Sequence, residues 1–221
     1  RNSSLMGSWP VEVIPNPIPT HIYKPWPKKL ARNLFNLPQD KNLILFGAIG
    51  GTYDPRKGWK YLKEALQHLG RRHENLQAVI FGQHEPKKKP DVGMPLTYLG
   101  ELHDDQTLAL LYSAADVMVV PSIMENLPQS ATEAQSCGTP VVAFNCSGLV
   151  DVVENLATGY LAKPFESNDL SKGIEWILKN EDYKNISLKS RKRAENLWSE
   201  EIIISKYERI YQKVLNNYLK I

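Results

Sequence analysis

The sequence predicts an α/β fold, a parallel sheet of about six strands with helices on both faces. Three observations predict it. Short apolar runs recur at residues 43–47, 76–82, 96–100, 117–120, 139–144 and 159–162, without the polar alternation of a half-exposed sheet. Stretches with helical spacing lie between several of them, such as Leu62, Ala65, Leu66 and Leu69, or Leu108, Leu111 and Tyr112. Glycines close several runs or helices, at Gly47, Gly82, Gly100 and Gly138.

Taken in order, residues 11–14 alternate briefly and then meet Pro15, Pro17 and Pro19. They read as a strand entering a stiff, extended connection, or equally as a plain surface loop. A short helix is expected over 30–37, then a buried strand over 43–47. The loop 48–57 follows, where Gly50 and Gly51 let the backbone approach a ligand closely. Residues 57–69 have helical periodicity, with Lys57 near the start. A cation there opposes the helix dipole, which leaves two readings, an ordinary exposed lysine or a placement for a ligand phosphate. Asp105 can start the helix that carries Leu108, Leu111 and Tyr112. After the strand 117–120, Asn126 can cap a helix with Leu127 and Pro128 in its first turn, running to about Cys137. Ser147 and Gly148 open a helix through Glu154, and residues 169–178 look like an amphipathic helix. From Ser199, a plausible cap, a last helix carries Ile203, Tyr207, Ile210, Tyr211, Val214 and Tyr218 at helical spacing.

The bulk numbers narrow the function classes. At 221 residues the chain can bury a full core and fits one large domain. A net charge of +3, with the basic residues spread along the chain, does not indicate nucleic-acid binding. Lys87, Lys88, Lys89 and Pro90 read as a solvated loop, with a membrane-surface contact as the weaker alternative. No apolar run approaches the roughly 20 residues of a spanning helix. Cys137 and Cys146 make no disulfide framework and lack metal-ligand spacing, so they read as buried thiols in a reducing cytosol. The loop 48–57 is neither a P-loop nor a dinucleotide fingerprint, since both glycine patterns are absent. The first residues hold no initiator Met and no signal-peptide pattern, and the chain looks cut from a longer one.

Two carboxylates mark the strand–loop–helix–strand unit 117–144. Glu125 lies in the loop and Glu133 eight residues later, on the second turn of the expected helix. Free N–H groups at a helix N-terminus attract anions, so a phosphate suits that place. A carboxylate beside a phosphate needs another partner, and sugar hydroxyls supply one. The plain alternative is a solvated loop Glu125 and a surface Glu133.

The pair Glu125 and Glu133, set within Pro121-Ser122, Glu125-Asn126-Leu127-Pro128 and Glu133-Ala134 through Cys137-Gly138-Thr139-Pro140, resembles the signature of family-4 retaining glycosyltransferases of the GT-B fold. The resemblance extends to the Gly47-to-Gly58 loop and to Thr158-Gly159 through Pro164, covering roughly residues 11 to 180. It implies one Rossmann-like half of a GT-B enzyme, the donor-binding one. Residues 1–20 are then the last strand of the absent N-terminal domain and the hinge, 21–198 the nucleotide-sugar-binding domain, and 199–221 a helix returning toward the absent domain. Its stripe is then partly exposed, or else packs on this domain's own core.

The resemblance further implies transfer of a sugar from a nucleoside diphosphate sugar to a glycan or lipid-linked acceptor, with the anomeric configuration retained. In that reading Glu133 holds the ribose and Glu125 the donor sugar, Lys57 and the backbone of Asn126, Leu127 and Pro128 serve the diphosphate, and Gly50, Gly51 and Leu102 complete the donor site. Glu125 and Lys57 are the residues nearest the chemistry. His103 is given no chemical role. The resemblance implies no bound metal or other cofactor, and no Asp-x-Asp triplet is present. It implies a cytoplasmic protein, with peripheral membrane contact in the full-length form. One departure is visible: relatives often carry an Arg five or six residues before the lysine, where this chain has Gly51 and Thr52, so Arg56 is the only guanidinium nearby. The alternative reading is a non-catalytic nucleotide-sugar-binding module that supports an active partner.

Overall fold

The computed structural model describes residues 4–5, 7–47 and 50–218, the side chains of 217 and 218 excepted. Ala48 and Ile49 of the expected glycine loop, and the Tyr218 side chain of the terminal stripe, lie outside the described residues. Eight helices and six strands are described: α1 (Lys28–Leu34), β1 (Asn42–Gly47), α2 (Trp59–Gly70), β2 (Leu76–Phe81), β3 (Leu96–Tyr98), α3 (Asp105–Ala114), β4 (Val117–Val120), α4 (Gln129–Ser136), β5 (Val141–Phe144), α5 (Leu149–Val152), β6 (Gly159–Ala162), α6 (Ser167–Leu178), α7 (Tyr183–Trp198) and α8 (Glu200–Tyr218). No described helix is long and apolar enough to cross a membrane.

All six strands are parallel, in the order β3-β2-β1-β4-β5-β6. This is the expected Rossmann-like sheet. The apolar runs are continuous because helices cover both faces: β2, β4 and β5 are buried at every residue. Right-handed crossovers put α2 on one face and α3 and α4 on the other. Helix α6 packs on α2, while α1, α3, α4 and α7 form a chain of contacts opposite. Leu62, Ala65, Leu66 and Leu69 face the sheet from α2, as their spacing predicts.

At the N-terminal edge of the sheet one carboxylate ties several elements together. Asp116, just before β4, receives Arg32 Nη2 at 2.7 Å, Lys28 Nζ at 2.6 Å and the backbone N–H of Leu43 at 2.6 Å. Arg32 is itself buried, and its remaining N–H groups go to carbonyls of Ala114, Pro38, Gln39 and Lys41. The contact pins α1 and β1 to the start of β4, where the β1–β4 ladder has a register of only two pairs, Ile44 with Val117 and Leu45 with Met118.

Two local features depart from the sequence expectations. Residues 10–17 form no strand; the segment meets no sheet edge among the described residues, and a single bridge joins Ile18 to Ser199. The 16-residue helix α7 is one that the sequence reading does not anticipate. Its buried residues, Ile186, Ser190, Ala194 and Trp198, include only two large apolar side chains, so its periodicity is faint. The α8 stripe takes the partly exposed one of its two expected arrangements: Ile203 is buried, whereas Tyr207, Tyr211 and Val214 are exposed.

Asp116→Ala leaves the Arg32 guanidinium buried without its counter-charge, and it is expected to lower unfolding stability by about 3–5 kcal/mol in urea titrations. A loss below about 1 kcal/mol would show that the contact does not hold the sheet edge.

Candidate functional site

The site lies where the strand order turns back on itself, at the C-terminal ends of β1 and β4. Two loops meet there. After β1 a single turn of 3-10 helix, Pro55–Lys57, is capped by Asp54, whose side chain accepts from Arg56 N, and ends at Gly58. Gly58 has φ +70°, and a Cβ there would lie 1.8 Å from the Pro121 carbonyl oxygen, so the loop after β4 passes directly over it. Ile123 N donates to Arg56 O at 2.8 Å. This backbone contact places Lys57 beside the loop that carries Glu125, and Lys57 Nζ donates to Glu125 Oε1 at 2.6 Å. The pair is partly shielded, with 29% and 16% of the two side chains exposed.

The Glu125 loop is held from the other side by the turn after β5. Glu125 N donates to Ser147 Oγ at 3.1 Å, and Gly148 N donates to Glu125 O at 2.8 Å. A Cβ on Gly148 would lie 1.4 Å from Asn126 O. Asn126 is therefore committed to this crossing and does not cap a helix. Helix α4 starts later than expected, with Pro128 as its N-cap and no capping side chain. Its N-terminal residues Gln129 and Ser130 line the cavity, where the unpaired N–H groups of a first helical turn lie.

The cavity, about 490 Å³, is lined by Lys57, Glu125, Leu127, Pro128, Glu133 and Leu102, together with Gly47, Phe81 and Gly82 at the strand ends and Asn16, Leu108, Tyr112, Gln129 and Ser130. Six of the nine residues expected for the donor site thus come together. Asn126 instead lines an adjoining cleft with Pro15, Asn16 and Leu127. Gly50 and Gly51 lie in the preceding turn, where Gly50 O accepts from Tyr53 N and Asp54 N, outside the cavity wall. Arg56 turns away: it pairs with Asp54 at 2.8 Å and faces solvent, which leaves Lys57 as the only Lys or Arg among the described lining residues.

Glu133 is not a surface residue. It is largely buried, and burial raises its carboxyl above the ordinary range; the Asp105 charge adds to the rise and the Tyr112 hydroxyl opposes it. Tyr112 O–H donates to Glu133 Oε2 at 2.8 Å. Burial, then the Glu133 charge, pushes the Tyr112 phenol far above its usual value, so it stays protonated as a donor. Tyr112, Asn16, Gln129 and Ser130 are lining residues that the sequence reading does not assign. For Tyr112 a signal exists: its helical position predicts burial, and a buried phenol needs a hydrogen-bond partner. The others are brought in by chain paths that local patterns do not specify.

Comparison with known proteins agrees with this architecture. The family model described as glycosyl transferases group 1 matches residues 28–196. An uncharacterized glycosyltransferase of Methanocaldococcus jannaschii is 28% identical over 186 residues, 80% of this chain and 46% of that protein. The sucrose-phosphate synthase of Thermosynechococcus elongatus superposes with a TM-score of 0.79 at 28% identity, over 93% of this chain and 53% of its own. HepE of Anabaena, solved with UDP-glucose, shares the fold with a TM-score of 0.72 at 20% identity, over 93% and 57%. The chain thus spans about half the length of these relatives.

Gly148→Ala forces the Asn126 carbonyl and the Glu125 loop to move. A stability loss of about 1–3 kcal/mol, read by thermal denaturation, is expected. An unchanged melting temperature would show that the loop is not clamped there.

Proposed function

The chain belongs to the group 1 glycosyl transferases, and from that premise we propose that it is the donor-binding half of a retaining enzyme. In this reading the enzyme transfers a sugar from a nucleoside diphosphate sugar to a glycan or lipid-linked acceptor. The observation that carries the reading is one cavity holding a cation, a helix N-terminus and two carboxylates. Each group suits one part of a nucleotide sugar. The Lys57 ammonium and the N–H groups at the start of α4 meet the diphosphate. Glu133 accepts hydrogen bonds from the ribose hydroxyls and Glu125 from hydroxyls of the sugar. Lys57 and Glu125 neutralise each other in an ion pair. An arriving diphosphate draws the ammonium away and leaves Glu125 free to accept from the sugar. As the glycosidic bond breaks, charge grows on the departing diphosphate, and Lys57 with the α4 dipole stabilises it. That HepE was solved with UDP-glucose supports a donor of this class.

No metal or other cofactor is part of this reading. The acceptor is met mainly by the rest of the full-length protein, in the cytoplasm and in peripheral contact with the membrane. The second reading, a non-catalytic binding module, draws on the solvent-facing Arg56, which leaves Lys57 to meet the diphosphate without a guanidinium.

Calorimetric titration of this chain with UDP, GDP and ADP, and with their sugar conjugates, is expected to show selective binding to one nucleotide. Glu133→Ala is expected to weaken it by ten- to a hundredfold, corresponding to about 1.5–3 kcal/mol for hydrogen bonds to a charged group. Binding unchanged by Glu133→Ala would remove Glu133 from the ribose. In transfer assays the 221 residues alone are expected to show little or no turnover. Turnover comparable to that of the full-length protein would sink the half-site reading, and donor binding without turnover in the full-length protein would favour the second reading.

A further inference from the structure

Resting on the donor-site reading, we propose that Tyr112 is a positioning residue that orients the Glu133 carboxylate for the nucleotide. The Tyr112 hydroxyl donates to Glu133 Oε2 at 2.8 Å, and both residues line the cavity. No other hydrogen bond or ion pair of the Glu133 side chain is found among the described residues, so Oε1 has no protein partner there. One carboxylate oxygen is thus held and the other is free for a ligand hydroxyl.

The hydroxyl can act this way because the ring that carries it is fixed. Tyr112 is fully buried, set edge-on against Phe81 at 5.8 Å and tilted against Tyr23 at 6.3 Å between centroids. Its carbonyl accepts from Thr139 Oγ1 at 2.7 Å, which ties the end of α3 to the strand entry after α4. Glu133, by contrast, has a flexible side chain with three rotatable bonds, and an anchored partner removes much of that freedom before a ligand arrives.

The same bond acts on ionisation. The groups around Glu133 are Tyr112 and Asp105 from α3, Tyr23 from the segment before α1, and Cys137 at the end of its own helix. Lys57 and Glu125 share the cavity. Burial and the Asp105 charge favour the protonated acid, and the Tyr112 hydroxyl favours the carboxylate. A protonated Glu133 has an O–H to place and one acceptor fewer, so the nucleotide is held less well. The sign follows: affinity falls as pH drops through the raised Glu133 value, and losing the hydroxyl moves that fall to higher pH.

Tyr112→Phe keeps the ring packing and removes only the hydroxyl. Two measurements on the chain test it. In NMR pH titrations of carboxyl-labelled glutamates, without ligand, Glu133 is expected to titrate at higher pH in Tyr112→Phe than in the unsubstituted chain. In calorimetric titrations with UDP, GDP and ADP, the nucleotide that binds is expected to bind about tenfold more weakly at neutral pH, and its affinity to fall at higher pH. An unchanged Glu133 titration with unchanged affinity overturns the proposal. Weaker binding with an unchanged pH profile and an unchanged Glu133 titration also overturns it, since that is what a merely structural role gives. A Glu133 titration that shifts as expected, in a chain that binds none of the three, supports the hold of Tyr112 on Glu133 and counts against the donor-site reading.

Discussion

A parallel sheet whose order runs β3-β2-β1-β4-β5-β6 changes direction once, between β1 and β4. The crossovers leaving those two strands go to opposite faces, so no helix closes over their C-terminal ends. The cavity is a consequence of that constraint. The two loops that leave β1 and β4 form part of its wall and supply Lys57 and Glu125. The ladder across the junction is short, and the buried Arg32–Asp116 contact holds it at the opposite end. The rigidity of the strand entry and the openness of the strand exit therefore belong to one arrangement.

Within the cavity the charges have different partners. Lys57 and Glu125 compensate each other. At Glu133 burial disfavours the charge, and a single neutral donor, Tyr112, offsets part of that cost. No described cation comes close enough to Glu133 to pair with it. In the proposed reading, the hydroxyls and the phosphates of one nucleotide sugar share these groups.

The glycines of the site act by absence of a side chain. Gly58 and Gly148 let backbone segments cross at distances that a Cβ would forbid, 1.8 Å and 1.4 Å from the nearest carbonyl oxygens. Their spacing from Lys57 and Glu125 is readable in the sequence, but which segment crosses which is not. The shift in the start of α4 has the same origin. Asn126 carries a good capping side chain, yet its carbonyl is taken up in the crossing over Gly148, and Pro128 begins the helix instead. A tertiary contact outweighs a capping preference of about 1 kcal/mol.

The sequence by itself determined the sheet and pointed to six of the residues that line the cavity. Continuous apolar runs between amphipathic stretches have few solutions other than a covered parallel sheet, because both faces must be dry. The long motif around Glu125 and Glu133 named the family, and with it Lys57, Leu102, Leu127 and Pro128. The tertiary structure alone decided the rest. It turned Arg56 to Asp54 and out to solvent, where its position in the chain was compatible with either direction. It left residues 10–17 without a strand, since an edge to pair with is a property of the whole fold. It also set Tyr112 beneath Glu133, across 21 residues of chain, because burial of a phenol demands a partner but does not say which one.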